Sequence, residues 1–151
     1  MKKILYVVIA LPIIALIYFF GLGFYSQSLN QNHGIVNDQL KPCPDKPNCV
    51  SSQEDRDSHY VPPIEVESVR NSLQKLVDYF SKNPEYQLQQ VSNNYLHVVH
   101  KSKIFKYRDD IEFYGDPEKR LLHVRSASRV GYSDIGTNKK RVEKLRSLIT
   151  N

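Results

Sequence analysis

The chain predicts an α+β domain: an antiparallel sheet of about four strands with two flanking helices, preceded by one N-terminal transmembrane helix. Three observations predict it. The run from Ile4 to Tyr25 is apolar and uncharged, two later segments repeat apolar residues at three- and four-residue spacing, and four segments between them alternate apolar with polar residues.

The apolar run comes first. At about 1.5 Å per residue it reaches about 33 Å as a helix, close to the roughly 30 Å hydrocarbon thickness of a bilayer. A cleavable signal carries a shorter apolar region, about 7 to 15 residues, and then a small-x-small cleavage site. Here the exit reads Gly21-Leu22-Gly23-Phe24-Tyr25-Ser26-Gln27-Ser28, with no Ala-x-Ala and no nearby cysteine for a lipid, which favours an uncleaved anchor. Lys2 and Lys3 are the only charges before the run, and the first charge after it is Asp38. That bias predicts a single pass through the cytoplasmic membrane, the N-terminus inside and the domain extracytoplasmic, periplasmic if the cell has an outer membrane. Phe19, Phe20, Phe24 and Tyr25 cluster at the outer end, where aromatic rings settle among headgroups. Pro12 and Gly21 are tolerated in a membrane helix.

Residues 26–63 are rich in Gln, Asn, Ser and Pro, and Pro42, Pro44, Pro47, Pro62 and Pro63 oppose regular structure. They predict a polar tether that becomes a stapled loop. A flexible tether of about twenty residues spans near 25 Å on average, which keeps the domain close to the bilayer. Cys43 and Cys49 close that loop in an oxidising compartment, so a disulfide is favoured over a metal site, whose zinc spacing the pair does not match. Closing so small a loop stabilises by about 2 kcal/mol.

Residues 64–151 form the α+β domain. Val69, Leu73, Leu76, Val77 and Phe80 make the stripe of an amphipathic helix that ends near Asn83-Pro84. Strands follow over 86–91, 95–100, 110–114 and 121–127, with turns at Ser92-Asn93-Asn94 and Gly115-Asp116-Pro117-Glu118. Residues 105–108 suit either a strand extension or a loop. A last helix begins near Asn138, with Val142, Leu145, Leu148 and Ile149 as its stripe. Alternation sends Ile111 and Phe113 to one face of the third strand and Asp110, Glu112 and Tyr114 to the other. If strands three and four pair, Glu112 and Asp110 come near Arg125 and His123.

Charge is uneven. The net charge is +5, but residues 26–100 carry six Lys/Arg against nine Asp/Glu, while residues 101–151 carry thirteen against seven. The basic half suits an anionic partner: outside the membrane, a lipid headgroup, an envelope polymer or an envelope protein. No nucleic acid is expected, because no helix-turn-helix, zinc-finger or ribonucleoprotein pattern is present.

Two segments, Cys43-Pro-Asp-Lys-Pro-Asn-Cys-Val-Ser-Ser-Gln53 and Asp109-Asp-Ile-Glu-Phe113 followed by His123-Val-Arg-Ser-Ala-Ser-Arg-Val-Gly-Tyr-Ser-Asp-Ile-Gly-Thr-Asn138 and Arg141, carry a resemblance. They resemble the bacterial domain-of-unknown-function family 1499 over essentially residues 40–149. The resemblance implies a small envelope or membrane-associated domain and brings no reaction, substrate or catalytic set.

The stretch from Arg125 to Arg141 concentrates hydroxyls, glycines and cations. Arg125, Ser126, Ser128, Arg129, Asn138, Lys140 and Arg141 are candidates for an anion- or partner-binding site at a helix start. Lys139, Lys140 and Arg141 in the first helical turn oppose the helix dipole, a conflict that a bound anion would relieve. The competing reading is internal: Arg129 and Arg141 pair with Asp134, Asp110 or Glu112 in a structural polar network that also includes Asp109, Gly131 and Gly136 serve a turn, and Thr137 or Asn138 caps the helix. Catalysis ranks last. Ser126, Ser128 and Ser133 lack a Gly-x-Ser-x-Gly elbow, and His33, His59, His97, His100 and His123 show no His-Glu-x-x-His pairing. A hydrolase-like enzyme acting on an envelope component through Asp110, Glu112 and Arg125 is the alternative to a non-enzymatic, membrane-anchored binding or structural module. No cofactor and no metal site are predicted.

Overall fold

The computed structural model describes residues 2–29 and 33–150. Residues 30–32 of the expected tether lie outside them.

Helix α1 (Lys2–Ser28) contains the apolar run, and its stretch Tyr6–Ser28, with mean hydropathy 2.6, is long and apolar enough to cross a membrane. A short hairpin follows, β1 (Ile35–Val36) and β2 (Gln39–Leu40), turned by Asn37 and Asp38 at positive φ. Next come β3 (Cys49–Ser51), β4 (Ile64–Glu65), α2 (Val69–Ser81), β5 (Tyr86–Val91), β6 (Tyr95–Lys101), β7 (Arg108–Asp116), β8 (Leu121–Ser128) and α3 (Thr137–Thr150).

The main sheet is antiparallel, in the order β3-β8-β7-β6-β5, and β4 also pairs with β8. It therefore has six strands rather than about four. The two extra strands, β3 and β4, are two or three residues long and lie in the Pro-rich segment, too short for alternation to register. Central strands run longer than expected because β7 continues from Arg108 to Asp116.

Both α2 and α3 pack on one sheet face. Ser68 caps α2 by accepting from the Asn71 N–H, and Val69, Leu73, Leu76 and Phe80 are buried beneath it. On α3, Val142, Leu145 and Ile149 reach the core, whereas Leu148 of the expected stripe stays 36% exposed. Beneath the helices lie Leu96, Val98, Ile111, Phe113, Leu122 and Val124, one per pleat. The other sheet face is covered by residues 33–43, which include the hairpin and end at the Cys43–Cys49 disulfide, packed on Ala127. The segment expected to be a tether thus supplies the second layer over the sheet.

Gly115, expected in a turn, is a strand residue of β7. An added Cβ there would lie 2.1 Å from Val69 Cγ1, so the start of α2 approaches the strand closely only because the position is glycine. Gly115→Ala should lower stability by about 1–3 kcal/mol through overpacking, read as a lower urea midpoint at unchanged slope.

Candidate functional site

Alternation along β7 sends one carboxylate to the helix face and two to the covered face. On the covered face Glu112 and Arg125 face each other across the β7–β8 ladder and pair at 2.8 Å, with exposures of 0% and 1%. Glu112 Oε1 also accepts from Tyr95 Oη at 2.8 Å and from the Gly34 N–H at 2.6 Å. Asp110, likewise 0% exposed, accepts from Arg129 Nε and Nη2, both at 2.8 Å, in a fork, and meets His97 Nε2 at 2.9 Å. Arg129 Nη1 reaches back to the Leu29 carbonyl, and His33 stacks on His97 with ring centroids 4.2 Å apart. Burial first, then the Glu112 charge, raises the Tyr95 phenol well above its ordinary pKa, so it remains a donor.

On the helix face Arg141 Nη2 pairs with Asp109 Oδ2 at 2.5 Å and lies 3.3 Å from His100 Nδ1. Its Nη1 donates to Ser126 Oγ and Asn138 Oδ1 at 3.1 and 2.5 Å, while Ser126 donates to the same Asn138 oxygen at 2.6 Å. Asn138 Nδ2 donates to Ser128 Oγ and to the Asn48 carbonyl, so the stapled loop is tied to α3. Asp134, expected as an arginine partner, instead accepts from the Gly136 and Asn138 N–H groups and caps α3, the role sequence reading assigned to Thr137 or Asn138.

Each arginine of the candidate anion site therefore holds a carboxylate of the chain itself. Lys140, the remaining cation of that set, is exposed. His123 does not join Asp110; it faces Tyr114 and lies 3.3 Å from Ser52 Oγ. His97 and His123 do not meet either, because β7 lies between their strands. Tyr95, His97, His100, Gly34 and Asn48 belong to the two networks without having been singled out as site residues. The alternation of β6 held a signal for the first two, since it aims Tyr95 and His97 at the face of Glu112. No cluster of His, Cys, Asp or Glu among the described residues is arranged to hold a metal.

A third feature lies at the C-terminal end of α1. The β6–β7 connection reads Lys101-Ser-Lys-Ile-Phe-Lys-Tyr-Arg108, four cations interleaved with apolar residues. Its Phe105 ring packs on Phe19 and Phe20, with centroids 5.4 Å away in each case, and its backbone lies against Gly23, where a Cβ would come within 1.7 Å of the Phe105 oxygen. Ser26 Oγ accepts from the Arg108 N–H at 3.2 Å. Between this connection, α1 and the β8–α3 loop opens a cleft of 460 Å³.

Burial raises the Asp110 carboxyl, but hydrogen bonds from His97 and Arg129 and their charge outweigh it and hold the pKa below the ordinary value. For Asp109, burial again raises, while His100, Arg141 and Ser128 prevail and lower. A depressed folded pKa gives stability that is present above the unfolded value and lost as pH falls through the folded one. The burial-depressed His33 follows the same sign from its ordinary 6.5. Stability should decline slightly below about pH 6.5 and steeply below the ordinary aspartate value of 3.8, with the steep limb reduced in Asp110→Asn; urea titrations across pH read both. Glu112→Gln, which leaves Arg125 buried without a charge partner, should cost about 3–5 kcal/mol, and Glu112→Leu with Arg125→Met should recover part of it.

Comparison with known proteins returns one family and no further relative: no curated protein and no solved structure matches the chain. The model of the family described as "Protein of unknown function (DUF1499)" matches residues 39–149, which hold the three arginine–carboxylate pairs, the stapled loop and the main sheet. The chain belongs to that family.

Proposed function

We propose that the protein is a non-enzymatic, membrane-anchored envelope module that binds anionic lipid headgroups where its anchor leaves the bilayer. The observation that carries this reading is the clamping of the basic, aromatic β6–β7 connection onto Phe19, Phe20 and Gly23 of α1. An apolar helix of this length from Ile4 exhausts the roughly 30 Å of hydrocarbon near Gly23. The connection then lies among the headgroups, with Lys103 and Lys106 at their phosphates and Ile104, 68% exposed, directed to lipid. Tyr132 and Ile135 of the β8–α3 loop add exposed apolar surface. Lys2 and Lys3 before the span support an extracytoplasmic domain.

Enclosure supports this reading over a hydrolase acting through Asp110, Glu112 and Arg125. All three are buried at 1% or less, each carboxylate accepts several internal donors, and among the described residues no serine is hydrogen-bonded to them. A general acid or base must reach its substrate, and these groups face the covering hairpin.

The chain has no tryptophan, so Ile104→Trp gives a single emitter. In nanodiscs, the full-length variant should be quenched by lipids brominated near the carbonyls. The preference for brominated phosphatidylglycerol over phosphatidylcholine should fall by about 2 kcal/mol when Lys103 and Lys106 become Gln, and should weaken with salt. Unquenched emission would sink the docking; quenching without lipid preference would sink the headgroup binding.

A further inference from the structure

The cleft beside α1 has a composition that the surface lysines do not explain. Its mouth is apolar: Phe19 and Leu22 come from the span itself, and Val130 and Ile135 face them from the β8–α3 loop. Ile135 is 89% exposed and held at φ +54°, a region that β-branched residues rarely adopt. The polar part of the cleft lining comprises the buried Arg141–Asp109 pair, the half-buried His100 and Ser128, and the exposed Ser133 and Thr137.

That pair is neutral overall, and both terminal nitrogens of Arg141 already have partners within the chain. A phosphate would find no free guanidinium there and would meet the negative Asp109 and Asp134, both of which line the cleft. An uncharged group that donates and accepts hydrogen bonds meets neither penalty, and the exposed Ser133 and Thr137 hydroxyls can partner it. The volume, 460 Å³, falls within the roughly 300–1,000 Å³ of small-molecule sites.

We propose that this cleft receives the uncharged, hydroxyl-bearing head of a membrane lipid whose acyl chain lies along Phe19 and Leu22. Continuity with the membrane-spanning helix selects the occupant: a molecule entering between Leu22 and Val130 comes from the bilayer, with its polar end uppermost. The assignment rests on the membrane-docked reading of this end of the domain and adds a single-molecule site to it.

The test is native mass spectrometry of the full chain released from nanodiscs that contain equal amounts of dioleoylglycerol and dioleoylphosphatidylglycerol. One dioleoylglycerol should remain bound per chain, and its occupancy should fall about tenfold in Val130→Trp and in Leu22→Trp, each of which fills the mouth. Leu22→Trp lies on the anchor, outside the domain core, so it keeps the test independent of domain folding. No adduct, an adduct of dioleoylphosphatidylglycerol in its place, or an adduct indifferent to both substitutions would overturn the proposal. Bromolipid quenching of Ile104→Trp reports docking alone, so a missing adduct with quenching intact overturns the cleft assignment and leaves the docking standing.

Discussion

Burying three carboxylates on one strand obliges the rest of the domain to bring cations to them. Asp109, Asp110 and Glu112 all lie on β7, at exposures of 8% or less, and an ionised carboxylate at such depth is tolerated only when paired and hydrogen-bonded. Arg125 comes from β8, Arg129 from just beyond it and Arg141 from α3, so each pair ties β7 to a different part of the chain. Such pairs contribute little net stability compared with apolar packing, yet removing one partner is costly. Their effect here is to fix position: strand register through Glu112–Arg125, the β8–α3 loop through Asp110–Arg129, and the seat of α3 through Asp109–Arg141.

The same constraint separates structure from surface. Arg125, Arg129 and Arg141 are occupied internally, whereas Lys103, Lys106, Lys139 and Lys140 are exposed. The β6–β7 connection and the outer side of the first turn of α3 carry them, and the former is fixed to α1 by aromatic packing and the tight approach at Gly23. The position of the domain relative to α1 is thus set by a few contacts at the end of that helix rather than by the average length of a tether. This places the basic β6–β7 connection beside the cleft lined by Phe19, Leu22 and Val130.

Much of this was legible along the chain. The strand spans were close because apolar residues alternate strongly from Tyr86 to Ala127, and the Glu112–Arg125 pair follows from that alternation once two strands are joined by a short turn. The cleavage of roles among Asp109, Asp110 and Asp134 was less accessible. Adjacent aspartates on a strand point to opposite faces, so Asp109 and Asp110 enter different networks although they are neighbours in sequence. Asp134 was free to pair or to cap, and only the path of the loop settled that it caps α3.

By itself the sequence determined the long apolar N-terminal helix, most of the two later helix stripes, the central strands and the disulfide, because each depends on local periodicity, length or spacing. The tertiary structure alone decided that residues 33–43 cover the second face of the sheet, that β3 and β4 extend it, and that α1 meets the β6–β7 connection. Those arrangements rest on backbone hydrogen bonds and close approaches between residues far apart in the chain, such as Gly34 with Glu112 and Ser26 with Arg108. Such contacts leave no period in the sequence, since almost any residue supplies the backbone N–H and carbonyl groups that make them.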